Sequence, residues 1–408
     1  MFAPTNIPLG VNDIGRPLGI PGMPEIPPQI EITNDHPPEA DFDRSIDYYA
    51  DYSGCGHWRL VWPGQMLNAH QKAVIHGTTM MVLDERYYQD THTVRVQRQA
   101  TEQQLQFIRL LKDFQTRQGF RIVYEIDDII FHEDIPDYNK FKTAFTDPKI
   151  RECACEIMTL CDELTVTNKF MQEYYKEKSG NPNVTVIPNY PPRFWMGHYY
   201  SKEKVNKNFT KHRKKPRIIY AASGAHFDVD NRVKQRDDFF HVNQAVVKTV
   251  DKYQWVFIGA FPLSLHSLVA QGKIEFHSWQ RLYEYPDLLA SLEGNMFVAP
   301  LQDNTFNRAK SDLKYIEACC YGVPVACQDL CTYENAPLKF TTGDEMIDLI
   351  KYALKDRSEY MKISKTARAV ADTRWLELDE NIDKYAELYK LPRGHSERKN
   401  INSLAENK

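Results

Sequence analysis

The stretch from Phe306 to Val325 (FNRAKSDLKYIEACCYGVPV) predicts a fixed local order: a loop, a helix, a glycine stop and a buried strand. Lys310, Lys314 and Glu317 fall at i, i+4 and i+7, one face of that helix, while Leu313, Ile316 and Cys320 fall on another. Ser311 and Asp312 suit the first turn, Gly322 suits the position past the last turn, and Pro324 forbids continuation. Arg308 and Lys310 therefore gather where free backbone N–H groups and the positive end of the helix dipole already favour an anion. Glu317, two turns further in, suits hydrogen bonds from sugar hydroxyls. Phosphate at the helix tip with ribose alongside is the arrangement a nucleotide diphosphate needs.

A chain of 408 residues is too long for one core and predicts two α/β domains of ordinary size. A net charge of −4 excludes a globally basic nucleic-acid binder but leaves room for a local basic surface. No apolar run reaches membrane-spanning length, and the N-terminal residues lack the charged and apolar regions of a signal peptide, so a cytoplasmic protein with no membrane partner is expected. Six of the eight cysteines (Cys153, Cys155, Cys161, Cys319, Cys320 and Cys327) lie in apolar or helical patterns without zinc-ribbon spacing, as reduced core residues do.

Residues 1–43 are rich in proline and predict an extended arm. From 44 to 200 strands and helices alternate. Ser45–Tyr49, Arg121–Ile126, Leu164–Thr167 and Val184–Ile187 read as strands, Thr101–Gln118 as an amphipathic helix, and Leu60–Ala69 as a helix interrupted by Pro63. Near-continuous apolar strands separated by helices predict a parallel sheet covered on both faces. Residues 201–216 read as a basic linker. The second domain, 217–375, carries strands at Arg217–Ala222, Trp255–Ile258, Met296–Ala299 and Val323–Ala326. A helix at 376–393 and a polar tail at 394–408 follow.

Gly54-Cys55-Gly56 after the first strand predicts a turn at which backbone closely approaches a ligand. Glu125-Ile-Asp-Asp128 falls at the carboxyl end of a buried strand, the edge where open α/β sheets place ligands. Three carboxylates so close predict at least one raised pKa. Asp127 and Asp128 suit an acceptor-orienting or general-base role, a divalent-metal site of Asp-x-Asp type, or a strand-end turn that caps the next element. His132 is a candidate partner. Ser223-Gly224-Ala225-His226 follows the first strand of the second domain, with Arg232, Lys234 and Arg236 downstream. Lys202–Arg217 holds eight Lys or Arg against one acid, with Phe209 among them. That segment is either a solvated linker or a track for a phosphate backbone through Lys211, Arg213, Lys214 and Lys215.

The 306–325 stretch resembles the donor-site signature of retaining GT-B glycosyltransferases, the family-4-like group that includes sucrose and glycogen synthases. Glu317 matches the second glutamate of their Glu-x7-Glu pattern and Tyr321–Val325 matches their "Gly-Val-Pro-Val" strand. Ala309 stands at the first glutamate position, and the "FN…KS…LK" spacing resembles a variant branch. Gly54–Gly56 with Arg59 and Pro63, and the "vyEiDD" segment, are similar to the same branch. The resemblance implies a GT-B fold with two Rossmann-like domains facing across a cleft, and the 376–393 helix crossing back to the first. It implies a nucleotide-diphosphate sugar, with a UDP-sugar the expectation, as co-substrate with no obligatory cofactor and no metal. Gly54, Cys55, Gly56, Ser223, Gly224, Arg308, Lys310, Ser311, Asp312, Leu313 and Glu317 would bind the donor, the segment Trp279–Pro286 would border the base, and Asp127, Asp128 and Lys310 would be catalytic. The style of the chain also resembles bacteriophage transferases that glycosylate hydroxymethylcytosine in duplex DNA. That acceptor is the expectation, with a cell-envelope glycan or small molecule as the other. A non-catalytic nucleotide-sugar binder is the remaining alternative.

Overall fold

Among the described residues twelve short strands form two separate sheets. The computed structural model describes residues 44–50, 54–228 and 236–389. The arm at 1–43, the tail at 394–408, and Arg232 and Lys234 lie outside the described residues. In the first sheet, strands β1 (Arg44–Tyr48), β2 (Val74–Thr78), β3 (Thr91–Gln97), β4 (Arg121–Glu125), β5 (Glu163–Val166) and β6 (Val184–Val186) lie in the order β2-β1-β3-β4-β5-β6. In the second, β7 (Arg217–Ala222), β8 (Gln254–Gly259), β9 (Glu275–Ser278), β10 (Met296–Ala299), β11 (Val325–Gln328) and β12 (Lys339–Phe340) lie in the order β12-β11-β10-β7-β8-β9. Every ladder is parallel, as expected for strands joined by helical crossovers. The order reverses between β1 and β3 and again between β7 and β10, and such switch points open a crevice at the carboxyl ends of the strands.

The second sheet is apolar on both faces, but the first is not. Ile46, Tyr48, Val94, Val96, Ile122, Tyr124, Leu164 and Val166 pack against the helices Glu102–Gln118 and Pro148–Leu160. The alternate positions Ser45, Asp47, Thr93, Arg95, Gln97, Glu125 and Thr165 are buried on the opposite face. Register pairs Ser45 with Thr93, Asp47 with Arg95, and Glu125 with Thr165. Glu125 is clamped by Arg59 at 2.6 Å and Arg95 at 2.5 Å, and Thr165 donates to it. Burial alone would raise its carboxyl, yet the two guanidiniums hold it below the usual range. The last described helix, Asp379–Tyr389, covers this polar face: the Tyr389 hydroxyl donates to Asp47 at 2.9 Å and accepts from Arg95 at 3.2 Å.

Three local readings change. Pro63 does not interrupt its helix. Helical backbone runs from Gly54 through a wide π-turn at His57–Val61 into Trp62–Ala69, and proline is tolerated where hydrogen-bond register changes near a segment start. Gly54–Gly56 is consequently the first turn of a helix rather than an open loop. The basic segment contains a helix, Lys202–Lys211, capped by Ser201, with Val205 and Phe209 buried and Phe209 stacked on Tyr360. Among the described residues no helix is long and apolar enough to cross a membrane.

Candidate active site

The two switch points bring together segments that are far apart in sequence. Asp127 and Asp128 follow β4, and the chain after β10 forms a short helix, Thr305–Arg308, that delivers Lys310. The Lys310 Nζ lies 2.8 Å from the Asp128 carboxylate, joining the two sheets across the crevice. Asn168 fixes this junction. Its Oδ1 caps the Lys169–Lys178 helix at Met171 N, while its Nδ2 donates to the carbonyls of Ala309 and Lys310, both at 3.0 Å. Asp127 pairs with Arg98 at 2.6 Å. Burial raises its carboxyl, and the Asp128 charge adds to this against the pull of Arg98. Glu125 points into the sheet, so the three carboxylates do not share one site. Arg98 holds a left-handed conformation, φ 50°, at the end of β3.

The helix in the centre of the signature spans Leu313–Cys320, with Asp312 at its N-cap and Gly322, φ 64°, beyond its end. Lys310 and Ser311 therefore precede the first turn instead of lying within it. Lys314 and Glu317 share the polar face. Lys314 Nζ sits 3.2 Å from His226 Nε2, and His226 Nδ1 sits 2.6 Å from the buried Asp238 carboxylate. Burial, aided by Lys314, lowers the His226 pKa to about 4. The ring is therefore neutral at physiological pH, donating to Asp238 and accepting from Lys314. Asp238 also accepts from Tyr138 of the first domain at 2.6 Å and from Asn307 at 2.5 Å. Burial lowers the Lys314 ammonium to about 8 and raises the Glu317 carboxyl to about 7; Tyr285 donates to Glu317 at 3.0 Å.

Of the donor-side residues expected from sequence, Lys310, Glu317 and the Ser223–Gly224 turn reach the crevice, and a Cβ at Gly224 would lie 3.0 Å from the Lys140 ammonium. Gly54–Gly56 approaches the same edge, where Gln97 donates to the Cys55 carbonyl at 3.3 Å. Asp312 is engaged by Arg374 at 3.0 Å, Leu313 packs into the core, and Arg308 turns outward to Asp303 at 2.6 Å. His132 begins a 3-10 turn among Glu133 and Asp134, beyond the aspartates. Trp279 is exposed after β9, and a Cβ at Gly259 would meet its ring at 3.1 Å. Lys211, Arg213, Lys214 and Lys215 precede the first residue of β7, the opposite edge of the sheet. Lys211 pairs with Glu293, and Arg213 donates to the carbonyls of Leu354 and Lys355. Sequence reasoning missed Arg98, Tyr138, Asn168, Asp238 and Arg374, none of which lies in a motif. His226 was seen, but without its partner twelve residues on.

No protein-family model and no curated protein matches the chain. Solved structures do resemble it. Anabaena Alr3699/HepE in complex with UDP superposes with a TM-score of 0.57 at 11% identity, over 85% of this chain and 98% of that one. An alpha-glucosyltransferase in complex with UDP and a 13-mer DNA containing an HMU base gives a TM-score of 0.51 at 11% identity, over 85% and 99%. The chain has the GT-B fold. In a GT-B fold the two parallel sheets turn their carboxyl edges toward one cleft, and the Lys310–Asp128 pair lies in it.

Proposed function

We propose that the protein is a glycosyltransferase that moves a sugar from a nucleotide-diphosphate donor to an acceptor hydroxyl with retention. The observation that carries this reading is the gathering of Lys310, Lys314 and Glu317 on one side of the crevice, opposite Asp127 and Asp128. Two ammonium groups suit a diphosphate, and a buried carboxylate suits the ribose diol. The bond from the anomeric carbon to the diphosphate breaks, and its electron pair leaves on a phosphate oxygen beside the lysines. The acceptor oxygen bonds to that carbon on the face the diphosphate leaves, which keeps the configuration, and gives its proton to Asp127 or Asp128. Both carboxylates already face cations, Arg98 and Lys310, which favours this role over a divalent-metal site.

UDP is the nucleotide this reading adopts, because the HepE and alpha-glucosyltransferase structures of the same fold hold UDP. For the acceptor we retain 5-hydroxymethylcytosine in duplex DNA, supported by the fold shared with an alpha-glucosyltransferase bound to DNA containing an HMU base. A cell-envelope glycan or a small molecule is the second reading, since the fold is shared equally with HepE, whose structure holds UDP and no DNA. Eight free cysteines suit a reducing cytoplasm, that of the host for a phage enzyme. The test is mass spectrometry of hydroxymethylated duplex DNA and of oligosaccharides after incubation with a panel of UDP-sugars, with and without EDTA. A mass increase that survives EDTA supports the reading, and its substrate decides the acceptor. A protein that neither binds UDP nor transfers any sugar overturns it.

A further inference from the structure

Asp128 and Lys310 present a conflict: one ammonium group is wanted both by the carboxylate it touches and by the diphosphate of a donor. The contact is 2.8 Å, and each side chain is about a fifth exposed (23% and 21%), so the pair is accessible from the crevice yet partly desolvated. The two halves are anchored independently of each other. Asp128 Oδ1 accepts from the backbone N–H of Ile129 at 3.0 Å, and the Asp128 carbonyl accepts from the Tyr175 hydroxyl at 2.7 Å. The carboxylate therefore keeps its place when Oδ2 loses its partner. On the other side, Asn168 holds the Lys310 carbonyl, so the lysine side chain can swing without moving its backbone. The Phe306 ring, 4.0 Å from Nζ, lines the path with a cation–π contact. Arg98, 4.0 Å from Asp128 Oδ2, remains beside the carboxylate after Lys310 departs.

We propose that Lys310 is an exchangeable cation that enforces donor-before-acceptor order. Lys310 sits on Asp128 Oδ2; an arriving diphosphate, a stronger partner than one carboxylate, draws the ammonium away and frees Oδ2 to accept the acceptor's O–H. The proton leaving the acceptor hydroxyl then lands on Asp128, while its oxygen bonds to the anomeric carbon and the diphosphate departs with the electron pair. This rests on the reading of the site as a nucleotide-sugar transferase. Its consequence is that the acceptor is not activated while the donor pocket is empty.

The test is calorimetric titration of UDP into the parent, Asp128→Asn, Lys310→Ala and the double variant, with uridine as the control ligand. Asp128→Asn, which keeps size and the bond to Ile129, should bind UDP about five-fold more tightly, because the competitor for Lys310 is weakened. Uridine, which has no diphosphate, should bind parent and variant alike. In the Lys310→Ala background Asp128→Asn should make no difference to UDP. Unchanged or weaker UDP binding by Asp128→Asn overturns the exchange while leaving the donor reading intact. A five-fold gain that persists without Lys310 also overturns it, because it would report only the removal of a nearby negative charge. A parent that binds no UDP overturns the donor reading and the exchange with it.

Discussion

Glu317 and Lys314 stand one turn apart on the same helix with pKa values pushed toward each other, about 7 and about 8, mainly by burial. A ribose diol donates to the ionised carboxylate, so UDP binding pulls the Glu317 pKa down and releases a proton near neutrality. A diphosphate favours the ammonium, so binding pushes the Lys314 pKa up and takes a proton in slightly above neutrality. UDP affinity should therefore climb as pH rises towards about 7 and decline as pH passes about 8, by at most tenfold per unit on either side. Calorimetry across that range checks it, and Glu317→Gln should remove the acid limb alone. At this scale the sequence showed the residue types but not the pairs. The spacing of Lys310, Lys314 and Glu317 announced one polar face, and the helix start was misjudged by two residues. Nothing in the sequence connects Lys310 to Asp128, because that meeting depends on how two sheets face each other, and the pairs Asp312–Arg374 and His226–Asp238 form within the second domain through packing that no local spacing encodes.

Among elements, the strands that were legible are those apolar at nearly every position, such as Arg217–Ala222 and Met296–Ala299. Strand β3, Thr-His-Thr-Val-Arg-Val-Gln, escaped notice because its alternate residues are polar, and polar alternation ordinarily marks a face in water. Here that face is buried under the Asp379–Tyr389 helix. The edge strand β2 is short and half exposed, and it gave little signal either. The docking of the last helix can be tested at Tyr389. Burial raises the Asp47 carboxyl to about 7, against the pull of Arg95 and the Tyr389 hydroxyl. A folded-state pKa above the unfolded value contributes stability at low pH that is lost as pH rises through about 7. Tyr389→Phe deprives the ionised carboxylate of a donor, at a cost of about 1–3 kcal/mol. Thermal unfolding should show a larger loss on the alkaline side of neutrality than on the acid side. An equal loss at both would mean that the hydroxyl does not serve the Asp47 charge.

For the molecule as a whole, Asn168 is the residue that both caps a helix of one domain and holds the backbone of the other. Serine caps helices as well as asparagine but is too short to reach the Ala309 and Lys310 carbonyls. Asn168→Ser should therefore change stability by no more than about 1 kcal/mol, while small-angle scattering shows a larger radius of gyration that UDP-sugar restores. An unchanged radius would mean that the tie does not hold the domains closed. A DNA acceptor would have to meet the carboxyl edges of the sheets, whereas Lys214 and Lys215 are exposed near the amino end of β7. Neutralising both should leave the salt dependence of DNA affinity at the parent slope; a drop of about 0.9 for each lost charge would place DNA on that edge instead. The polar face of the first sheet also bears on how the protein can be cut apart. That helix docks in two ways at once: Ile382, Tyr385 and Ala386 are buried in the apolar core, while Asp47, Arg95 and Arg121 meet its last turn through Tyr389 and the Leu388 carbonyl. A chain ending at Leu376 and a synthetic peptide spanning 377–389 are therefore suited to work as a split pair that regains function by complementation when mixed, the apolar residues supplying the affinity and the Tyr389–Asp47 bond the register.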